Sequence, residues 1–230
     1  MTEQHPITHL AIILDGNRRW AKAKGLPSLM GHTEGAKNVR PILEAALERH
    51  ISFVTLYILS TENLKERSES ELSHLFILFA KLIEYLELFT KNNARLMVVG
   101  DLSKLPQKVQ QTMQTVMQET AQNTGMTITL ALNYGGRDEI TRAVQRIVRE
   151  QIPLESIDES VIASHLDSAH LPDVDLMVRT GGDQRLSNYL LWKNAYAELY
   201  FTPVQWPAFT PQDLDEAINW FILQKRNRGK

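Results

Sequence analysis

The 230-residue sequence contains no cysteine, which excludes disulfide bonds, thiolate catalysis and metal sites with cysteine ligands. A bound metal ion would therefore depend mainly on oxygen ligands. No segment approaches the roughly 20 apolar residues that a membrane-spanning helix requires. Residues 1–8 also lack the basic and apolar regions of a secretion signal. We therefore expect a cytoplasmic protein with no transmembrane segment.

The sequence also has little net charge, with 25 basic residues, 27 acidic residues and a formal charge of −2. This balance provides no bulk attraction toward nucleic acid or an anionic membrane. Nucleic acid is therefore not expected as a partner, and any anion must be bound by a few placed arginines. The seven histidines show no spacing that is typical of a metal site.

Six short apolar runs, separated by polar or glycine-containing turns, predict buried strands. They lie at residues 10–14, 53–59, 96–99, 128–132, 176–178 and 199–201. Helical spacing lies between most of them, with start signals at Pro106, Asp158 and Thr210. The pattern predicts a single α/β domain over residues 1–230, with residues 1–7 flexible. Its centre would be a mostly parallel six-stranded sheet flanked by helices.

Residues 71–89 predict a helix with more apolar surface than one buried face requires. Charged residues within the segment, including Lys81, Glu84 and Glu87, argue against a membrane span. The excess surface must therefore contact another helix, a second subunit or an apolar ligand. An ordinary core with a dimer contact is the commonest explanation for such a pattern.

The first predicted strand runs into residues 15–20, DGNRRW, a glycine turn followed by a helix start. Outward N–H groups, the helix dipole and arginine side chains make such a place suitable for a diphosphate. The segment does not match the GxxxxGK[ST] or GxGxxG loops of nucleotide sites. A strand-ending turn with surface arginines is the alternative, and Asp15 could either cap the helix or bind a hard cation.

A second candidate phosphate site follows the fifth predicted strand. Residues 179–188 combine paired glycines, which allow close backbone approach, with Arg179, Arg185 and Ser187 as donors. The alternative is a polar glycine loop whose charges lie in solvent. Two such loops on one sheet would allow two diphosphates to bind in one active site.

Three further polar segments lie at strand ends. Residues 60–63, STEN, could cap a helix or orient a substrate, and the amide of Asn63 cannot act as a strong base. Residues 133–137 are expected to form a turn and a helix start. Glu198 begins the last apolar run. If it met Asp15, the two carboxylates together with diphosphate oxygens would suit Mg²⁺.

Together these segments resemble the cis-prenyltransferase family, from about residue 8 to residue 226. The resemblance rests on the order of seven motifs: DGNRRW at 15–20, GH at 31–32, STEN at 60–63, NYGGR at 133–137, RTGG at 179–182, RLSN at 185–188 and AYAELYF at 195–201. Such a combination is far more specific than any single motif. The family implies a parallel sheet with an apolar tunnel for a growing chain, and a homodimer.

The resemblance implies that the chain elongates farnesyl or geranyl diphosphate with isopentenyl diphosphate in a Mg²⁺-dependent reaction. Asp15 would act with Mg²⁺ at the departing allylic diphosphate, Asn63 would hold the position of the proton acceptor, and Glu198 would be a second metal ligand. The residues implied to bind substrate are Gly16, Asn17, Arg18, Arg19, Trp20, His32, Ser60, Thr61, Glu62, Arg179, Arg185 and Ser187. The last three would hold isopentenyl diphosphate.

The sequence departs from the family pattern at several positions. Ser28 replaces a basic residue expected to contact the allylic diphosphate, Leu64 replaces an aromatic residue, and Arg67 is shifted along the chain. Bulky Ile58 and Leu59 stand near the expected tunnel wall, where the first position commonly has a smaller residue. We hypothesise that they shorten the product.

Several functions agree with these motifs. The default product is undecaprenyl diphosphate, because overall length and helix spacing match the bacterial long-chain type. A short- or medium-chain synthase and a non-catalytic partner subunit of the family are the alternatives. A phosphate-binding regulatory module would explain the loops but not the apolar surplus. Release of an apolar product would bring the protein into transient contact with a membrane.

Overall fold

The strands of the protein form one six-stranded sheet. A computed structural model describes residues 7–81 and 90–225. The strands are β1 (His9–Ile13), β2 (Phe53–Ser60), β3 (Arg95–Val99), β4 (Thr127–Tyr134), β5 (Leu176–Arg179) and β6 (Glu198–Phe201). Each coincides with a predicted apolar run to within two residues at either end, so these predictions are confirmed.

All the strand pairings are parallel, in the order β3-β4-β2-β1-β5-β6. The prediction of a mostly parallel sheet is therefore confirmed. Strands β1 and β5 are buried along their whole length, as expected when helices cover both faces. After β1 the chain forms β2, β3 and β4, which all lie to one side of β1 in the strand order. It then forms β5 and β6, which lie to the other side of β1. The carboxyl end of β1 therefore lies where the connections diverge, which is where ligands usually bind in such sheets.

The helices are α1 (Asn17–Ala23), α2 (Ser28–Glu48), α3 (Thr61–Glu66), α4 (Glu69–Ala80), α5 (Gln107–Glu119), α6 (Gly136–Arg149), α7 (Glu159–Ser164) and α8 (Pro211–Ile222). Two of them begin where capping residues predict a start. The carboxylate of Asp158 accepts from the N–H of Val161 at α7, and Thr210 and Asp213 form a capping box at α8. These side chains satisfy N–H groups that a helix start leaves without a partner.

Apolar side chains pack on both faces of the sheet. Leu10 and Ile128 belong to a cluster that includes residues of α2, α5 and α8. Ile13 and Met177 belong to a second cluster. Because successive strand residues point to opposite faces, the two clusters form separate layers of core. The predicted single α/β domain is confirmed.

The apolar helix predicted over residues 71–89 is described only in its first part. Helix α4 begins after Ser68, whose hydroxyl accepts from the N–H of Glu71. Leu75 is buried in the core, whereas Ile77 is 57% exposed. The rest of the prediction, residues 82–89, lies outside the described residues.

Of the amino-terminal segment 1–7, the structure describes only Ile7. Ile7 is buried in the core, so the prediction of a flexible segment was wrong at this residue. Residues 1–6 lie outside the described part of the chain. Among the helices of residues 7–81 and 90–225, none is long and apolar enough to cross a bilayer.

His9 is a fully buried polar residue at the start of β1. Its Nδ1 lies 2.9 Å from the carbonyl oxygen of Pro172, and its Nε2 lies 2.8 Å from the hydroxyl of Thr55. Burial lowers the pKa of His9 to about 4, although the hydrogen bond to Pro172 and the charge of Asp175 oppose this effect. A neutral ring that donates through Nδ1 and accepts through Nε2 satisfies both partners.

We expect the free energy of unfolding to fall by about 3 kcal/mol, from His9 alone, as the pH falls from 6.5 to about 4. Within this window the unfolded chain binds a proton that the folded chain does not bind. Denaturant titrations at about pH 7 and about pH 4.5 would measure the fall in wild type and in His9→Asn, whose amide can still donate to Pro172. An equal pH dependence in both proteins would contradict the prediction.

Candidate active site

The two predicted diphosphate loops meet at the carboxyl end of the sheet. Strands β1 and β5 are neighbours, with Ile13 opposite Arg179. The hydroxyl of Thr180 donates to the carbonyl oxygen of Asp15 at 2.7 Å and accepts from the N–H of Asp15 at 3.0 Å. Nη2 of Arg179 donates to Oδ2 of Asp15 at 2.9 Å. The two loops therefore form one site.

Gly181 makes this close approach of the loops possible. Its φ is +87°, and a Cβ at this position would lie 2.9 Å from Nη2 of Arg19 and 3.0 Å from the carbonyl carbon of Asp15. Any side chain would collide with the first loop and would also strain the backbone. The glycine thus allows a close backbone approach, as predicted, and the group that it approaches is the other loop.

Asp15 is surrounded by positive charge. Its carboxylate lies 2.9 Å from Nη2 of Arg179 and 3.1 Å from Nη2 of Arg19, and it accepts from the N–H of Gly16 at 2.6 Å. Burial raises the pKa of Asp15, but the hydrogen bonds from Arg179 and Gly16 and the charges of both arginines lower it more, so the pKa lies below its ordinary value. Asp15 is therefore an anion at neutral pH. It does not cap α1, whose start has no side-chain hydrogen bond.

Arg179 is buried and fixed by hydrogen bonds, whereas Arg19 and Arg185 are more exposed. The Arg179 side chain is 4% exposed, and those of Arg19 and Arg185 are 47% and 62% exposed. Nη1 of Arg179 donates to the hydroxyl of Ser187 at 2.7 Å and to the carbonyl oxygen of Arg185 at 2.5 Å. Its Nε is buried and has no partner among the described residues. The site therefore combines one arginine fixed by buried contacts with two more exposed arginines.

Helices α2, α3 and α4 contribute a hydrogen-bonded cluster to the site. Nε2 of His32 donates to Oε1 of Glu71 at 2.8 Å, and Nε of Arg67 lies 3.4 Å from the same oxygen. Nη2 of Arg67 donates to Oδ1 of Asn63 at 3.2 Å. Burial and the charge of Arg67 lower the pKa of His32, so the ring is neutral at pH 7. Arg67 therefore reaches the site despite its shifted position in the sequence.

The segment after β2 acts as a helix start and also contacts the second loop. The hydroxyl of Ser60 accepts from the N–H of Asn63 at 3.0 Å, so Ser60 caps α3. The carboxylate of Glu62 accepts from Nδ2 of Asn188 at 3.0 Å. Oδ1 of Asn188 accepts from the N–H of Arg137 at 2.9 Å. Asn188 therefore connects the second loop to α3 and to the start of α6.

Most of the predicted site residues line one cavity. They are Asp15, Gly16, Asn17, Arg18, Arg19, His32, Ser60, Glu62, Asn63, Arg179, Arg185 and Ser187. Trp20 and Thr61 are described but do not line this cavity. The Trp20 ring faces Nζ of Lys24 at 4.4 Å, and Thr61 lies against Gly135. A direct contact of these two side chains with substrate stays a prediction.

Glu198 does not join Asp15. It is the first residue of β6 and pairs with Leu176, the first residue of β5, whereas Asp15 follows the carboxyl end of β1. Because the strands are parallel, the amino end of β6 and the carboxyl end of β1 lie at opposite ends of the strands. The two ends are roughly 10 Å apart along β5. The two carboxylates therefore do not share an ion within one chain, and a ligand role for Glu198 stays a prediction. In residues 7–81 and 90–225, no three His, Asp or Glu side chains are placed to hold a metal ion by themselves.

The cavity extends from the arginines along the sheet and has a volume of about 1100 Å³. Small-molecule pockets are usually about 300–1,000 Å³ in volume. On β4 the wall consists of Ile128, Leu130 and Leu132, alternate residues that share one face. Met126 and Ala94 line the part near the amino ends of β3 and β4. From Met126 to Leu132 a strand advances roughly 20 Å, so the cavity has a charged end and a long apolar wall.

Helix α4 also contributes to the cavity wall. Leu75, Leu78 and Phe79 line it. The sequence left three explanations for the surplus of apolar side chains after residue 71: a helix contact, a subunit contact or an apolar ligand. In the described part of that segment, these apolar side chains make ordinary core contacts and also line a cavity that could hold an apolar ligand.

An irregularity in β2 places two consecutive bulky residues at the cavity. Tyr57 pairs with Ala131, but Leu59 pairs with Leu132, so one extra residue, Ile58, interrupts the register. A β-bulge of this kind redirects side chains out of the usual alternation. Ile58 and Leu59 therefore both line the cavity, as the hypothesis of a narrowed tunnel requires.

Sequence reasoning missed several residues that hold the second loop, namely Tyr57, Asp183 and Asn188. The Tyr57 ring stacks on Tyr189 with centroids 4.4 Å apart, and its hydroxyl donates to the carbonyl oxygen of Ser187 at 3.2 Å. Ser187 and Asn188 have φ values of +49° and +62°, in the region that L-residues rarely adopt. A tyrosine within a largely apolar strand was the available signal, because a buried hydroxyl needs a partner.

Comparisons with known proteins agree with this geometry. The family model described as "Putative undecaprenyl diphosphate synthase" matches residues 13–229. A ditrans,polycis-undecaprenyl-diphosphate synthase ((2E,6E)-farnesyl-diphosphate specific) of Vibrio vulnificus is 44% identical over 99% of this chain and 92% of its own length. An isoprenyl transferase of Treponema denticola is 45% identical over 96% of each chain.

Two solved structures resemble the protein across nearly the whole chain. Lavandulyl diphosphate synthase from Lavandula x intermedia, in complex with dimethylallyl diphosphate, is 32% identical with a TM-score of 0.94 and covers 98% of this chain and 99% of its own. A probable undecaprenyl diphosphate synthase from Campylobacter jejuni is 36% identical with a TM-score of 0.83, over 98% and 100%. With two arginine loops that meet at one end of a long apolar cavity, and with these relatives, the chain belongs to the undecaprenyl diphosphate synthase family of cis-prenyltransferases.

Proposed function

We propose that this chain condenses isopentenyl diphosphate with an allylic diphosphate to give a cis-polyprenyl diphosphate. The observation that carries the proposal is a single cavity in which an arginine-rich end continues into a long apolar wall. Such a cavity suits a substrate with a diphosphate head and a growing hydrocarbon tail. A regulatory phosphate-binding module would have no use for the apolar part.

The two loops would hold the two diphosphates next to each other. In the reaction, the allylic C–O bond breaks, a C–C bond forms to the terminal carbon of isopentenyl diphosphate, and a neighbouring carbon loses a proton. Arg18 and Arg19 would stabilise the charge on the departing diphosphate. Arg179, fixed by its contacts to the second loop, would keep the attacking carbon within reach.

Asp15 fits a Mg²⁺ ion that is shared with substrate. Mg²⁺ in proteins is commonly held by one or two carboxylates together with phosphate oxygens, and Asp15 is an ionised carboxylate where both loops meet. When bound, Mg²⁺ would neutralise charge on diphosphate oxygens. Asp15 would then exchange its contact with Arg19 or Arg179 for the ion. The released guanidinium would be available to a phosphate oxygen.

Asn63 would orient the reacting groups rather than remove a proton. Its Oδ1 already accepts from Arg67, and a neutral amide is too weak a base to deprotonate carbon. A substrate diphosphate oxygen would take the proton. Asn63, held by Arg67, would keep the donors of its amide directed at the substrate.

For the product, we propose undecaprenyl diphosphate made from farnesyl diphosphate. The Vibrio relatives named for this product and starter support the proposal. A shorter product is the second candidate. Ile58 at the bulge and the likeness to lavandulyl diphosphate synthase favour it.

We also propose a homodimer located in the cytoplasm, with transient membrane contact as product leaves. Val144, Val148 and Leu154 have apolar side chains that are 47%, 70% and 84% exposed. Val144 and Val148 share one face of α6, and neighbouring exposed apolar side chains are typical of a subunit contact. Light scattering on the purified protein would measure its mass in solution.

The function is tested by incubating the purified chain with labelled isopentenyl diphosphate, Mg²⁺ and either geranyl or farnesyl diphosphate. We expect a ladder of products that ends at one length, which identifies the synthase. Omission of Mg²⁺ should abolish the ladder. A folded sample that incorporates no label with either starter would overturn the proposal and favour the non-catalytic partner subunit.

Replacing Ile58 by alanine should lengthen the product by one or more isoprene units. The substitution removes bulk from the cavity wall at the bulge, where the neighbouring Leu59 also narrows the space. Chain-length analysis measures the effect. Ile147→Ala is the matched control, because Ile147 is 3% exposed but does not line the cavity. An unchanged product distribution in Ile58→Ala would contradict the prediction.

A further inference from the structure

A carboxylate occupies the space between arginines of both loops. Oδ1 of Asp183 lies 3.0 Å from Nη1 of Arg185, and its Oδ2 lies 3.3 Å from Nη2 of Arg19 and 3.5 Å from Nη2 of Arg179. Both oxygens thus contact guanidinium groups, as the oxygens of a bound phosphate would. Asp183 lines the cavity, and 32% of its side chain is exposed, so it can be moved aside by a ligand.

The backbone before Asp183 places this residue beside the first loop. Gly181 and Gly182 have φ values of +87° and +88°. Their N–H groups donate to the carbonyl oxygens of Val204 and Thr202 at 2.7 Å and 2.9 Å. The anchored glycine turn returns the chain toward the first loop. The glycine turn, which these two hydrogen bonds hold in place, therefore puts Asp183 next to the arginines.

From this arrangement we infer that Asp183 is an internal substitute for a diphosphate group, which pairs with Arg19, Arg179 and Arg185 before substrate binds and must be displaced when a substrate diphosphate binds. The inference rests on the proposed function, because it takes both loops as diphosphate sites. Arg19 belongs to the first loop and the other two arginines to the second. Asp183 is thus a positioning residue that lowers the affinity of the site for diphosphate and assists the release of the departing diphosphate.

A purely structural clamp predicts the opposite sign. If Asp183 only held the arginines in a binding geometry, removal of its charge would loosen them and weaken anion binding. If it competes with the ligand, the same change strengthens anion binding. A ligand role toward Mg²⁺ would affect binding only when the ion is present, so the test is made without metal.

The probe is inorganic pyrophosphate, titrated calorimetrically into the full chain with EDTA at constant ionic strength. We expect Asp183→Asn to lower the dissociation constant about tenfold, which corresponds to about 1.4 kcal/mol. Asp173→Asn is the matched control, because it removes the same charge from a side chain that is 62% exposed and does not line the cavity. The control should stay within about twofold of wild type. In turnover, Asp183→Asn should lower KM for isopentenyl diphosphate without raising kcat.

An unchanged or raised dissociation constant in folded Asp183→Asn would overturn the inference, and so would an equal decrease in both variants, since that would reflect net charge alone. If Asp183→Asn does not fold, Asp183→Ala replaces it, and loss of the fold in both would assign Asp183 a structural role instead. The proposed function fails separately, when wild type incorporates no isopentenyl diphosphate. The pyrophosphate titration is independent of that result.

Discussion

Replacing Asp15 by asparagine is expected to lower kcat at least about a hundredfold while the chain stays folded. The substitution keeps the size of the side chain and its ability to accept from the N–H of Gly16, but it removes the negative charge. Under the proposed mechanism, that charge helps to hold Mg²⁺ at the departing diphosphate. Single-turnover rates with saturating substrates and Mg²⁺ would measure the loss directly.

The same substitution also removes an ion pair with buried Arg179, so a loss of stability has to be separated from a loss of chemistry. Asp215→Asn is the matched control. Asp215 pairs with Arg49 through two contacts of 2.5 Å and 2.6 Å, and neither residue lines the cavity. Both variants should show a lower Tm, but only Asp15→Asn should lose turnover. Retained activity in Asp15→Asn would remove Asp15 from the mechanism, and an unfolded variant would make it a structural residue.

The sheet could be predicted from the sequence because its strands are covered on both faces. Strand β5 is buried along its whole length, and its first three residues form an apolar run, 176–178, that is visible without a structure. Helix starts were predictable at Asp158 and Thr210 because a capping side chain leaves a local signature. Both features depend on residues that are close in sequence.

The position of Glu198 shows how two predictions from the same sequence can conflict. The sequence places Glu198 at the start of a strand and Asp15 at the end of one, and it predicts that the strands are parallel. These statements together already separate the two carboxylates by the length of a strand. The shared ion depended on the condition that the two carboxylates meet, and the predicted parallel topology already keeps them apart.

Other features of the site depend on pairings that a single sequence does not contain. The bulge at Ile58 exists only in the register between β2 and β4. From the sequence alone, Asp183 looks like an exposed charged residue in a glycine loop. Its contact with Arg19 arises because β1 and β5 are neighbours in the sheet. Side chains that meet across 164 residues of sequence are identified by the fold and not by spacing.

Replacing Arg179 by lysine is expected to raise KM for isopentenyl diphosphate about a hundredfold or more, with a smaller decrease in kcat. Lysine keeps the charge but loses the planar fork that contacts Asp15, Ser187 and the Arg185 carbonyl together. In addition, two hydrogen bonds from the guanidinium to the diphosphate would contribute about 1.5–3 kcal/mol each, so their loss is sufficient for this change. Initial rates at varied isopentenyl diphosphate and saturating allylic substrate would separate KM from kcat.

Arg146→Lys is the control for Arg179→Lys, because Arg146 also donates to a carboxylate and a carbonyl oxygen, those of Asp167 and His165, but does not line the cavity. It should lose stability without a change in KM. If Arg179→Lys raised KM for the allylic diphosphate and left that for isopentenyl diphosphate unchanged, the second loop would hold the other substrate. If neither KM changed in a folded variant, Arg179 would only support the loops, and the fixed cation of the site would have to be a different arginine.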